Sequence, residues 1–117
     1  MEEDFIREII YYENYYLEFF ESLKPEVQKK FNWTLQLIAT LERVPEKYFK
    51  YITNSNGIFG LRVEYASDIY RVFSFFDKVN LVVLLNGFQK KTQKTPKKEL
   101  EMAEKLKSEY LNRKYEE

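Results

Sequence analysis

The sequence contains no cysteine and no histidine. The first absence excludes a disulfide framework and any thiolate metal site; the second removes the commonest metal ligand and the commonest general acid–base. Catalysis in such a chain has to use carboxylates, lysine, arginine, tyrosine or hydroxyls. Glycine is scarce, and Gly57, Gly60 and Gly87 are too scattered to cradle a phosphate with backbone donors. No EF-hand spacing is present, which leaves no basis for a metal or any other cofactor. No apolar run approaches the ~18 residues of a membrane span, and the opening MEEDFIREIIYYE lacks the basic start and apolar core of a signal peptide. The chain therefore reads as soluble and cytoplasmic.

What is present is enough for one packed domain: 117 residues, 44 % hydrophobic, with ten tyrosines and ten phenylalanines. The formal net charge is zero, but it is unevenly distributed. Residues 1–60 carry ten acids and seven bases, residues 61–117 nine acids and twelve bases. No acid lies between Asp77 and Glu99, a stretch that holds Lys90, Lys91, Lys94, Lys97 and Lys98.

Residues 5–12 fit two patterns. Their β-branched and aromatic content favours a strand, whereas Phe5, Ile9, Tyr12, Tyr16 and Phe19 fall at helical spacing. The reading adopted is a strand over 4–12 and a helix over 14–23, with Asn14 as N-cap and Pro25 enforcing the break. Pro25 then opens an amphipathic helix, PEVQKKFNWTLQLIATLERV, whose stripe is Val27, Phe31, Leu35, Ile38 and Leu41. Residues 45–60 read as a loop tucked in by Tyr48, Phe49 and Tyr51. Three strands follow, over 61–65, 69–76 and 79–88, and a helix runs from 97 to 113 with a fraying tail. The order β, α, α, β, β, β, α predicts an α+β domain with a four-stranded, mainly antiparallel sheet, helices on one face and the other face free.

Strand parity marks that free face. A two-residue turn in the first hairpin puts Arg62 and Glu64 on the same side as Ile69, Arg71, Phe73 and Phe75. A second two-residue turn at Asp77 and Lys78 adds Val82, Leu84, Asn86 and Phe88, and aims Lys90 the same way. Arginine forks and lysine ammoniums grouped so match the geometry and charge of phosphates. The plainer alternative is a solvated face on which Arg62 pairs with Glu64 or Asp68 and the lysines keep a loop soluble. Phe73, Phe75 and Phe88 would stack bases if exposed, though such residues more often form core. Glu64 is either a general base or an ion-pair partner.

The segments GLRVEYASDIYRVFSFF and VVLLNGFQKKTQKTPKKELEMAEKLKSEY resemble the HigB branch of the RelE/ParE toxin superfamily, the phage-derived Gp49-like proteins. The shared features are Leu61-Arg62, Tyr70-Arg71-Val72-Phe73, and Gly87-Phe88 leading through Lys90-Lys91-Thr92 to Lys94-Thr95-Pro96. The resemblance implies a RelE-like fold and the toxin of a type II toxin–antitoxin pair. Its partners would be a helix-turn-helix, HigA-like antitoxin, the ribosome and mRNA, with no membrane. Its activity would be metal-independent endoribonuclease cleavage of mRNA on the translating ribosome, by attack of a ribose 2′-hydroxyl on the adjacent phosphate. In that scheme Arg71 stabilises the phosphate charge, Arg62 is a second basic residue, and Lys90 and Lys91 hold the phosphate or protonate the leaving oxygen. Lys94, Lys97, Phe73 and Phe88 would contact RNA. The exit from the sheet carries neither the His nor the Tyr that many superfamily members use, so the proton acceptor falls to Glu64 or to a lysine deprotonated by its basic neighbours. Two alternatives share the fold: a ParE-like inhibitor of DNA gyrase without nuclease activity, and an inactive prophage remnant that only binds its antitoxin.

Overall fold

Strand β4 (Asp68–Lys78) sets the architecture, because its alternation is apolar on both sides. Tyr70, Val72 and Phe76 point one way and Phe73 and Phe75 the other, and a strand apolar on both sides needs cover on both. In the computed structural model, which describes residues 5–115, β4 lies at the centre of a five-stranded sheet. Its neighbours are β3 (Phe59–Tyr65) and β5 (Leu81–Lys90), both antiparallel to it. The edges are β2 (Phe49–Tyr51), antiparallel to β3, and β1 (Glu8–Tyr11), parallel to β5.

The strand expected over 4–12 is therefore β1; residue 4 lies outside the described residues. The expected helices are α1 (Tyr15–Glu21), α2 (Pro25–Thr40) and α3 (Lys97–Tyr115). The fold is α+β and RelE-like, and its elements differ from the expectation in three details. The sheet has a fifth strand, β2, within the segment read as loop. Asn14 occupies the N-cap position of α1 but makes no side-chain capping bond. Helix α2 stops at Thr40, short of Pro45. Arg7 accounts for that stop: its guanidinium donates to the carbonyls of Ile38, Leu41 and Glu42 at 2.9, 2.6 and 2.8 Å, satisfying the helix C-terminus with a cation.

The helices do not share one face. Helices α1 and α2 cover Leu61, Val63, Tyr70, Val72, Val82 and Leu84 with Tyr16, Val27, Phe31 and Ile38. Helix α3 covers the opposite face, laying Ala103 and Leu106 on Phe73, Phe75, Val83, Leu85 and Phe88. Neither face of the sheet is left free along its length.

Register explains which residues land where. The first hairpin has the two-residue turn, Ala66 and Ser67, so Arg62 lies opposite Arg71 and Glu64 opposite Ile69, as parity predicts. The second hairpin turns at Val79 and Asn80, two residues later than expected, and contains two irregularities. Leu85 and Asn86 together oppose Phe73, and Asp77 is an extra residue on β4. Val82 and Leu84 thus face α1 and α2, contrary to the simple alternation, while the bulge returns Phe88 and Lys90 to the Arg71 side.

The Asp77 bulge aims a carboxylate with 1 % side-chain exposure at the end of α3. It accepts hydrogen bonds from Tyr110 (2.9 Å), Lys114 (2.6 Å) and Tyr115 (2.9 Å). Burial works to raise its pKa, but bonds from Lys114, Tyr115 and Tyr110 outweigh burial and hold it below the usual carboxylate value. The stabilisation is present above the unfolded pKa and is lost as pH falls through the lower folded one. Asp77→Asn should cost about 1–3 kcal/mol in urea unfolding at neutral pH and should lose less stability than the parent on acidification. Gly87 has a different role: an added Cβ would collide with the Phe19 ring. Gly87→Ala should destabilise the fold by about 1–3 kcal/mol, measured by the same unfolding experiment.

Candidate nucleic-acid interface

Beyond the reach of α3, the ends of four adjacent strands bring together a row of cations. Lys50 comes from β2, Arg62 from β3, Arg71 from β4 and Lys90 from β5, and all four line one cleft of about 570 Å³. Lys50 pairs with Gly60, Arg62 lies directly opposite Arg71, and Lys90 opposes Ile69, the position two before Arg71. Like charges directly opposite on neighbouring strands destabilise a sheet, so this placement costs folding energy.

The two arginines are treated differently. Arg62 is relieved by Glu64, whose carboxylate is 3.3 Å away. Arg71 makes no ion pair among the described residues. Its Nε is buried without a hydrogen-bond partner, and its Nη1 has only a long 3.5 Å contact to the Thr95 hydroxyl. Burial and then the Arg62 charge lower its pKa, although an arginine keeps its proton at any physiological pH. Lys90 is lowered too, first by burial and then by Arg71, Arg62 and Lys50. The cleft holds an excess of positive charge, and Arg71 in it has no ion pair among the described residues.

Gly60 forms part of the cleft wall for a steric reason. A Cβ there would approach Arg71 Cδ and Ile52 Cδ1 to 3.1 Å and Arg71 Nε to 3.3 Å, so glycine lets the arginine stem lie against the β3 backbone. The exit from β5 contributes Gln93 and Thr95, and the segment before β2 contributes Glu46, the one carboxylate among the residues that line this cleft.

Of the residues singled out from sequence, the structure groups Arg62, Arg71 and Lys90. Glu64 is half exposed, bound to Arg62, and lines a neighbouring cleft instead. Lys91, Lys94 and Lys97 are exposed on the segment between β5 and the start of α3, outside the lining. Phe73 and Phe88 are core residues at 0 % and 8 % exposure, with ring centroids 5.2 Å apart beneath α3. Neither presents a ring to a base, and the expected base-stacking role fails because α3 occupies their face. Sequence reasoning missed Glu46, Lys50, Gly60 and Thr95. A three-residue strand carries too little periodicity to be seen, and without it nothing placed Lys50 beside the arginines.

The family described as Phage derived protein Gp49-like (DUF891) matches residues 18–108, which span α2, all of β2 to β5 and most of α3. No curated protein matches the chain. No helix among the described residues is long and apolar enough to cross a membrane. Since the match covers most of the chain and the fold is RelE-like, the protein belongs to the Gp49-like phage-derived family of RelE/HigB-type toxins.

Proposed function

We propose that this toxin is an endoribonuclease that cuts mRNA on the translating ribosome and is neutralised by a cognate helix-turn-helix antitoxin. The observation that carries the reading is Arg71, which has no ion pair among the described residues, set opposite Arg62 and flanked by Lys50 and Lys90 in one open cleft. A fold tolerates such a cluster where an anionic ligand supplies the missing charge, and Arg forks suit phosphate oxygens.

Cleavage without a metal follows from these groups. The ribose 2′-oxygen attacks the adjacent phosphorus and its proton passes to a carboxylate. Charge on the equatorial oxygens of the pentacovalent transition state is held by Arg71 and Arg62. The bond from phosphorus to the 5′-oxygen breaks, and that oxygen takes a proton from Lys90, leaving a 2′,3′-cyclic phosphate and a 5′-hydroxyl. Lys90 suits the task because burial and then the charges of Arg71, Arg62 and Lys50 lower its pKa, which makes it a better acid than an ordinary lysine. For the acceptor, Glu46 fits better than Glu64, since Glu46 lines the cleft and Glu64 is occupied by Arg62. Lys91, Lys94 and Lys97 sit on the exposed exit, where they attract RNA backbone without taking part in chemistry.

Two predictions separate function from fold. Arg71→Met keeps the stem and removes a cation that the fold does not neutralise. It should lower cleavage by about 10²–10³-fold and abolish growth arrest on induction, while melting at the same temperature as the parent or higher. Full toxicity of both Arg71→Met and Glu46→Gln would place the activity elsewhere. The second prediction concerns pH. Because Lys90 loses its proton below the ordinary lysine range, affinity for an uncleavable 2′-deoxy oligonucleotide should fall roughly ten- to a hundredfold as pH rises toward that range. In Lys90→Arg, fluorescence anisotropy should show that fall shifted to higher pH.

A further inference from the structure

Trp33 is the chain's single tryptophan and lies on α2 with half of its surface exposed. Helix α2 packs on the sheet through Val27, Phe31 and Ile38, so the indole adds nothing to that core. Tryptophan in such a place is a common anchor for a ligand or partner, because its large apolar ring gains most when covered.

The ring is set in a built surface. Tyr48 packs edge-to-face against it, with centroids 5.4 Å apart and planes at 82°. The Lys47 ammonium lies 5.4 Å from the Tyr48 centroid. With Lys30, Arg62 and Glu64, these rings line a second cleft of about 410 Å³, within the size range of small-molecule sites. Its wall is braced: Lys30 donates to the Glu64 carbonyl at 2.5 Å, and Arg62 holds the Glu64 carboxylate.

This cleft continues the basic one, since Lys47 and Arg62 line both. A chain of alternating phosphates and flat bases needs that alternation of cationic and aromatic surface. We propose that the Trp33–Tyr48 cleft binds the nucleobase adjacent to the phosphate held at Arg62 and Arg71, with the base stacked on Trp33. Lys47 and Arg62 follow the intervening backbone. The inference rests on the reading of the basic cleft as an RNA phosphate site. Stacking on an indole accepts any base, so the cleft grips and orients RNA without dictating sequence.

Because Trp33 is the only tryptophan, its fluorescence reports on this cleft alone. A 2′-O-methyl trinucleotide, which cannot be cleaved, should quench it, whereas inorganic phosphate should not. Anisotropy of a labelled trinucleotide should show Trp33→Ala binding about 5- to 150-fold more weakly and Trp33→Phe within about threefold of the parent, as expected for loss and retention of one stacked base. If Trp33→Ala binds like the parent while Arg71→Met binds weakly, the base site is refuted and the phosphate site survives. If neither variant weakens binding, the basic-cleft reading fails with it. Loss of antitoxin binding by Trp33→Ala with unchanged trinucleotide affinity would make the surface a protein-docking site and overturn the proposal.

Discussion

The structure depends on a central strand that must be covered on both faces. Phe73 and Phe75 on one side of β4 and Tyr70, Val72 and Phe76 on the other admit no exposed sheet face, so α1 and α2 cover one side and α3 the other. The candidate site lies where that cover ends. Arg71 lies on the same side as Phe73, two residues away, just past the apolar run, and the neighbouring strands place their own cations beside it. The molecule is a two-sided core with a charged end, and the charge is concentrated because the core leaves it nowhere else to go.

The charged end works against folding. Arg62 and Arg71 face each other across adjacent strands, burial and then their charges lower the proton affinity of Lys90, and Arg71 Nε is buried without a partner. Charged groups elsewhere find partners. Arg7 closes α2, and the Asp77 bulge gathers Tyr110, Lys114 and Tyr115 to hold the end of α3. A local concentration of like charge at a cost to folding is the physical basis for proposing an anion site there.

Much of this was legible in the sequence, and the illegible part has definite causes. The two-residue turn between β3 and β4 allowed parity to put Arg62 and Arg71 side by side, and the stripe of α2 identified its buried face. The two irregularities of the β4–β5 hairpin were invisible, because a bulge shifts register without altering composition; Val82 and Leu84 were assigned to the wrong face for that reason. Phe73 and Phe88 looked the same whether exposed or buried, since the deciding fact is where α3 returns to the sheet. Glu46 and Lys50 could not be placed until the short strand β2 brought them to the cleft. The resemblance carried the family, which the family match over residues 18–108 bears out.

The central claim is that the cation row acts on the phosphodiester of translated mRNA. The most direct measurement maps 5′-hydroxyl mRNA ends after induction, in translating cells and in cells where initiation is blocked. New ends within codons, present only while ribosomes translate, are the predicted result. Growth arrest with no new mRNA ends would contradict the account.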